Sequence, residues 1–398
     1  MARTPPHLGT LIAMTSMAVL TLNMFLPSLA SIAEDLNTSY ATVNLSIAGY
    51  LAITAVLQIL LGPLSDRYGR RPILLICLTL FSVASLGCAL APTIEMFLAA
   101  RFLQTVSVAC VVISRAIVRD QFAPSEAASK LGYIGMIMAI APITGPMLGG
   151  VIEEVFGWRG SFWMFCALGL ALTTVVYADL GETNTTKDPS FAAQFRAYPD
   201  LLRSGPFWGY SLCQAFSVGA FYAFLGGVPL VGKMIFALSA TQLGALLGWI
   251  SIGFLCGSFF AGRFGKRIPL DSLLLIGRVV ATSGMALGLL IMMFQPPTIG
   301  LFMGAIFFIG IGNGITLPGA ASGAMSVRPD LAGGASGLSG ALMVGCGALM
   351  TWITGELIGQ NPSVRLLVAM MLLSTVLSLI AALYVYFRST DHVPHTAK

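Results

Sequence analysis

Apolar residues follow one another along the chain in about twelve long runs, each bounded by a short polar segment. A helix of about 20 apolar residues crosses the hydrocarbon core of a bilayer. Strands of a membrane barrel would instead alternate over about 10 residues. The pattern therefore predicts twelve transmembrane helices, called spans one to twelve, near residues 8–33, 40–62, 72–91, 95–119, 128–152, 160–180, 206–229, 240–262, 270–294, 299–321, 334–358 and 364–387.

The longest polar stretch lies at mid-chain, from Gly181 to Ser204. It leaves six predicted spans on each side, which indicates two groups of helices joined by a linker. We therefore predict an N-terminal half over 1–180, a cytoplasmic linker over 181–205 and a C-terminal half over 206–398.

A short basic motif occurs once in each predicted half. Residues 67–71 read RYGRR between spans two and three, and residues 263–267 read RFGKR between spans eight and nine. The offset is close to half of the 398-residue chain. Matching loops at matching places indicate a duplication, which predicts two pseudo-symmetric halves of six helices each.

Composition supports a membrane location. The chain is 57% hydrophobic and 9% charged, with a mean hydropathy of +0.88. A soluble domain carries about 25% charged residues, so this chain could not cover a soluble surface of its size. An all-α membrane protein is the fold class that these numbers favour.

The basic residues concentrate in the predicted loops on one side, for example Arg67, Arg203 and Arg263. Cytoplasmic loops carry an excess of Lys and Arg, so we predict that both termini lie in the cytoplasm and that the protein is multi-pass in the cell inner membrane. Because the basic residues belong to these loops, the net charge of +5 does not indicate nucleic-acid binding.

Neither a catalytic nor a metal-binding set of residues is visible. The three histidines lie near the chain ends, and the seven cysteines occur singly in apolar stretches. A phosphate-binding G-x-x-x-x-G-K-[ST] loop is also absent, which disfavours an ATP-driven pump. We therefore predict a non-enzyme without cofactor or metal, whose partners are a small-molecule substrate and the lipid bilayer.

The loop after span two is the most specific motif. Residues 62–71 fit G-x-x-x-D-R-x-G-R-R, which is too specific for an ordinary positive-inside loop. It resembles the signature loop of the major facilitator superfamily, where that loop acts as a cytoplasmic gate between the halves. The resemblance implies a gating role for Gly62, Asp66, Arg67, Gly69, Arg70 and Arg71. The second-half copy has Gly262 where Asp66 stands, so only the first copy should carry the full charge network.

Span four contains arginines, which are costly inside a bilayer and usually face a cavity or a partner. Arg101 and Gln104 resemble the span-four R-x-x-Q motif of that superfamily. Arg119 and Asp120 resemble an Arg-Asp pair of its bicyclomycin/chloramphenicol-resistance branch and are assigned to the gate. Snorkelling to the inner interface is the alternative for Arg119.

Span five contains Gly145, Pro146, Gly149 and Gly150. Proline kinks a helix and glycines permit close helix crossing, so packing alone would explain them. The pattern G-P-x-x-G-G also resembles the superfamily's antiporter motif, which implies export in exchange for protons. Residues 157–162 resemble the G-W-R-x-x-F start of span six in the same superfamily.

Span one departs from the resistance branch, which has an aspartate before this M-Y-L-P-like run that is taken to bind the proton and cationic substrates. Here that position is Asn23, followed by Met24. Asparagine can hydrogen-bond a ligand but does not titrate. The usual proton carrier is therefore missing, and Asp120 and Glu356 are the candidates to replace it.

Polar and aromatic residues on spans seven and ten suggest a cavity wall, because spans one, four, seven and ten line the cavity in this superfamily. Tyr210, Gln214, Ser217 and Phe221 share one helical face. Interhelical hydrogen bonds are the alternative role. We predict substrate contacts from Asn23, Met24, Arg101, Gln104, Gln214, Phe221, Tyr222 and Asn313.

The resemblance implies a major facilitator fold, most similar to the bicyclomycin/chloramphenicol-resistance exporters, and a monomer that works by alternating access. The main hypothesis is a proton-coupled exporter of drugs or small molecules. The alternative is a carrier for an organic anion or metabolite, such as a siderophore or an organic acid, because Arg101 and Arg278 have no central acid to balance them. A non-transporting sensor would need an added soluble domain, which the sequence does not offer.

Overall fold

The structure is a computed structural model that describes residues 6–122, 124–184, 198–265, 267–328 and 331–390. Within these ranges, twelve helical spans of 20 to 30 residues are long and apolar enough to cross a membrane. They coincide with the twelve predicted spans, which are thereby confirmed.

The first six spans are formed by the helices Leu8–Asn23 with Leu29–Asp35, Tyr40–Tyr68, Arg70–Ala89, Ile94–Leu103 with Val108–Gln121, Pro124–Phe156 and Trp158–Asp179. A short helix, Tyr198–Leu202, precedes the rest. Spans seven to twelve are Gly205–Met234, Ala240–Phe264, Leu270–Phe294, Ile299–Ser326, Ala332–Gln360 and Val364–Thr390.

Several predicted ends were too early. Span two was expected to end at residue 62, but its helix continues through Pro63 to Tyr68. Span ten likewise continues from residue 321 to Ser326. The prediction stopped where the apolar run stops, whereas backbone hydrogen bonds continue into the polar residues. Gly69, with φ +101°, ends span two, because that conformation is open to glycine and strained for other residues.

Spans one and four are each interrupted by a short 3₁₀ helix. In span one it covers Leu26–Ser28 and contains Pro27, which lacks a backbone N–H. In span four it covers Gln104–Ser107. These interruptions were not predicted, and they fall beside Asn23, Met24 and Gln104, which are all candidate substrate residues.

The chain divides into two compact units. The first comprises Met1–Phe191 and Gly232–Gly248, and the second comprises Ala192–Val231 and Trp249–Lys398. The segment Gly232–Gly248 belongs to the first unit because its backbone packs on span five. A Cβ on Gly244 would meet the Pro146 carbonyl, and a Cβ on Gly150 would meet the Ala240 carbonyl.

In the second unit, spans eight and ten approach each other through glycines. A Cβ on Gly257 would meet the Ile311 carbonyl, and a Cβ on Gly310 would meet the Ile250 carbonyl. In lipid the hydrophobic effect does not drive helices together, so close van der Waals packing of this kind stabilises their association.

At the predicted outer ends of the first unit, the start of span six is bonded to the end of span one. Asp35 Oδ2 accepts from the Trp158 indole N–H over 3.1 Å and from Arg159 over 2.5 Å. Arg159 also donates to the Ala91 carbonyl over 3.1 Å. The G-W-R motif therefore holds three helix ends together.

Candidate functional site

Arg70 is the centre of the predicted gate cluster in the first unit. Its guanidinium forms ion pairs with Asp66 and with Asp120, the latter over 3.1 Å. It also donates to Ser65 Oγ over 2.6 Å. Because one cation bridges carboxylates of spans two and four, the arrangement ties three helix ends together by charge.

Glu182, at the start of the predicted linker, was not predicted as a site residue. One carboxylate oxygen accepts from the Arg70 backbone N–H over 3.0 Å, and the other accepts from that of Arg71 over 3.2 Å. A carboxylate is favourable at a helix N-terminus, where backbone N–H groups lack partners. A Cβ on Gly69 would collide with Glu182, so the loop glycine makes room for this carboxylate.

The remaining predicted gate residues have other surroundings. Arg67 lies over the Tyr68 ring at 5.3 Å. Arg71 donates to the Tyr177 carbonyl over 2.8 Å. A Cβ on Gly62 would meet no described atom within 4 Å. The side chain of Arg119 is not part of the described structure, so its assignment to the gate stays a prediction.

Arg101 is fully buried in the first unit. Its guanidinium donates to Gln104 Oε1 over 2.7 Å and to the Thr21 carbonyl over 2.8 Å. Thr21 lies in the last turn of the helix Leu8–Asn23, where carbonyls lack helical partners and a positive charge is favourable. Arg101 therefore binds the end of this helix, next to the interruption of span one.

Aromatic rings enclose the same guanidinium. Its carbon atom lies 4.0 Å from the centre of the Phe25 ring and 4.5 Å from that of Tyr50. Tyr50 is held by a 2.9 Å hydrogen bond with Ser107. Ring faces stabilise a desolvated cation. The sequence analysis missed Phe25 and Tyr50, although both lie in apolar runs beside predicted sites.

Asn23 and Met24 lie at the interruption of span one, against span five. Asn23 Nδ2 donates to the Val19 carbonyl over 2.8 Å. A Cβ on Gly145 would lie 3.5 Å from Asn23 Cβ, and one on Gly149 would overlap the Met24 carbonyl. The antiporter-like motif therefore packs directly on the interruption.

In the second unit, one side-chain oxygen collects two hydrogen bonds. Asn313 Oδ1 on span ten accepts from Ser217 on span seven over 2.8 Å and from Arg278 on span nine over 3.0 Å. Arg278 Nε donates to Thr316 over 2.9 Å. Arg278 is fully buried, and its remaining terminal nitrogen has no partner among the described residues.

Three other predicted residues also belong to the second unit. Gln214 is 4% exposed and lies one turn before Ser217 on span seven. Phe221 and Tyr222 have ring centres 5.5 Å apart. A Cβ on Gly347 of span eleven would collide with the Tyr222 ring.

Arg101 and Arg278 are the fully buried arginines of the described residues. Among the described residues, neither Arg101 nor Arg278 forms an ion pair. Of the acids suggested as proton carriers, Asp120 is paired with Arg70. Glu356 is half-buried on span eleven and forms no ion pair within the described ranges.

Comparison with known proteins gives consistent findings. A family model described as Major Facilitator Superfamily matches residues 11–350. A Bacillus subtilis (strain 168) protein described as "Uncharacterized MFS-type transporter YdgK" is 34% identical over 342 residues, 84% of this chain and 85% of its own. The chloramphenicol resistance protein of Pseudomonas aeruginosa is 30% identical over 369 residues, 90% of this chain and 86% of its own.

A solved structure shares the fold. The bacterial homolog to the human lysosomal transporter Spinster, in an inward-facing and unoccupied conformation, covers 96% of each chain with a TM-score of 0.75 at 18% identity. The predicted fold class, an all-α membrane protein of twelve spans, is thereby confirmed.

Proposed function

The chain belongs to the major facilitator superfamily, and on that premise we propose that it is a proton-coupled exporter of drugs or related small molecules that works by alternating access. The observation that carries this proposal is the similarity to the Pseudomonas aeruginosa chloramphenicol resistance protein over 90% of this chain. The G-P-x-x-G-G motif of span five, which packs on the interruption of span one, supports it.

In this proposal, the protein is a monomer in the cell inner membrane with both termini in the cytoplasm. The ion pairs of Arg70 with Asp66 and Asp120 form the inner gate. Such ion pairs suit a gate because they depend on close contact between the charged groups. After a small displacement of the helices, water can hydrate the separated groups instead. Because position 23 is asparagine, a different acidic residue carries the proton.

A carrier for an organic anion is the second candidate. It is favoured by asparagine at position 23 and by Arg101 and Arg278, which are fully buried and form no ion pair within the described ranges. A positive potential in a medium of low dielectric constant attracts anions.

The test is drug susceptibility of an efflux-deficient bacterial host that expresses this chain, with and without a protonophore. Resistance that the protonophore abolishes would support proton-coupled export. If the folded, inserted protein confers no resistance to any drug, the exporter is contradicted and the organic-anion carrier is favoured.

A further inference from the structure

The Asn313 side chain has a defined orientation because two donors converge on its oxygen. Arg278 Nη2 can only donate, so the atom it meets must be Oδ1 and not the amide nitrogen, and Ser217 Oγ donates to the same oxygen. Both hydrogen bonds that Asn313 makes to described side chains end on this oxygen. Among the described residues, no acceptor is bonded to the Asn313 NH₂ group.

This NH₂ group is not sealed in the protein interior. Asn313 is 5% exposed. Its amide nitrogen has no hydrogen-bond partner within the described ranges, yet it is not one of the fully enclosed polar atoms there. The nitrogen therefore keeps some accessible surface. A donor that is accessible, fixed and unpaired in an otherwise buried polar cluster is suited to a ligand's acceptor oxygen.

Arg278 is fully buried and forms no ion pair within the described ranges. A buried guanidinium without a counter-ion is unfavourable by several kcal/mol in proteins generally. Here it is held by Asn313 and Thr316, which are neutral acceptors. Its charge makes the surroundings of Asn313 favourable for an oxygen with negative charge and unfavourable for a cation.

We infer that the Asn313 NH₂ group recognises an acceptor oxygen of the transported molecule, and that Arg278 and Ser217 are positioning residues that hold this group in place. The substrate class is then uncharged or anionic molecules with carbonyl, nitro or carboxylate oxygens, not lipophilic cations. This inference rests on the proposed export function and assigns a recognition element to it.

Asn313→Asp is the most informative substitution. The carboxylate keeps both hydrogen bonds that Asn313 accepts and gives Arg278 a counter-ion, so the fold should be at least as stable. It replaces the NH₂ donors with a carboxylate oxygen, which cannot donate to a ligand and which offsets the positive charge of Arg278. If the cluster were merely structural, transport would be unchanged or improved.

The experiment uses everted membrane vesicles with an imposed proton gradient and two probes. Chloramphenicol is uncharged and rich in acceptor oxygens, whereas tetraphenylphosphonium is a cation without any. We expect the wild type to transport chloramphenicol and not tetraphenylphosphonium, and Asn313→Asp to raise the KM for chloramphenicol about tenfold, the effect of one lost hydrogen bond. Thermal stability in detergent checks folding.

Ser217→Ala is the second variant, in case Asn313→Asp does not fold. It leaves Arg278 alone to hold Asn313, so KM should rise about twofold to threefold with an unchanged maximal rate. An unchanged KM in either folded variant would overturn the inference but not the export function. If the wild type transports tetraphenylphosphonium but not chloramphenicol, the inference is also overturned, whereas the export function stands. No transport of any probe would overturn the proposed function and the inference with it.

Discussion

At the scale of single residues, Arg101 illustrates how a buried charge is tolerated without an acid. Two of its terminal N–H groups donate to the Gln104 side chain and the Thr21 carbonyl, and its faces lie against Phe25 and Tyr50. Carbonyl dipoles at a helix end and ring quadrupoles together replace a counter-ion. Arg101 therefore stabilises the interruption of span one, whether or not it also contacts substrate.

Two substitutions of Tyr50 measure separately its hydrogen bond with Ser107 and its ring contact with Arg101. Tyr50→Phe removes the hydrogen bond with Ser107 and keeps the ring, so we expect the unfolding free energy to fall by about 1 kcal/mol. Tyr50→Leu also removes the ring face over Arg101, and we expect a further loss of about 1–2 kcal/mol. Denaturant unfolding in detergent would measure both. Equal stability of the two variants would contradict a cation–π contribution.

Glu182 should stabilise the first turn of span three, because it accepts hydrogen bonds from two backbone N–H groups there. Glu182→Gln removes the charge that faces two backbone N–H groups, so we expect a loss of about 1–2 kcal/mol of stability and reduced transport. Both quantities can be measured on the purified, reconstituted protein.

Glu126→Gln is the matched control, because it makes the same charge change at an exposed pair with Lys130. Such surface pairs contribute less than about 1 kcal/mol. Equal effects of the two substitutions would contradict a special role of Glu182 at the start of span three.

At the scale of helices, the interruption of span one and the glycines of span five fit together. Pro27 lies in the interruption, and Gly149 lets the helix of span five approach the Met24 carbonyl. Such a contact requires a residue without a Cβ. The antiporter-like motif thus has a packing role in this chain, which the sequence analysis named as sufficient by itself.

Two glycines of span five provide a matched test. Gly149→Ala places a Cβ onto the Met24 carbonyl, so the helices must separate, and we expect a loss of at least about 2 kcal/mol of stability and of most transport. Gly132→Ala meets no described atom within 4 Å, and its higher helix propensity should leave stability unchanged or raise it by up to about 1 kcal/mol. Thermal denaturation would compare them. Equal tolerance of both would refute the close contact.

At the scale of the whole molecule, the repeated loop motif differs in chemistry between its copies. In the first copy, Arg70 binds Asp66 and Asp120. In the second copy, Gly262 replaces the acid, and neither Arg263 nor Arg267 forms an ion pair within the described ranges. Lys266 lies outside the described residues. The expectation that only the first copy carries the full charge network therefore stays a prediction, supported by the ion pairs of Arg70.

The distribution of basic residues predicts the orientation of the chain. Fluorescent-protein fusions at either terminus should fluoresce in a Gram-negative host, because both ends are expected in the cytoplasm. Alkaline phosphatase inserted at Asn37, between spans one and two, should be active in the periplasm. An active phosphatase fusion at the C-terminus would contradict the predicted orientation.

Much of the architecture was determined by the sequence alone. The twelve spans were predictable because lipid forces every backbone polar group into helical bonds, so length and apolarity suffice. Asp66, Arg70 and Asp120, which the structure joins by ion pairs, were singled out by motifs, and their role as a gate stays a prediction. Helix ends such as Tyr68 were not, because backbone hydrogen bonds continue beyond the apolar run.

Only the tertiary structure decided which side chains meet. Phe25 and Tyr50 around Arg101, Glu182 at the start of span three, and Arg278 on Asn313 are contacts between residues far apart in the chain. A sequence pattern reports which residues can be buried, since burial follows from helical periodicity and polarity. It does not report which acceptor a buried donor finds, because that depends on how neighbouring helices rotate and approach. The orientation of the Asn313 amide is the clearest instance, since it is set by donors from two other spans.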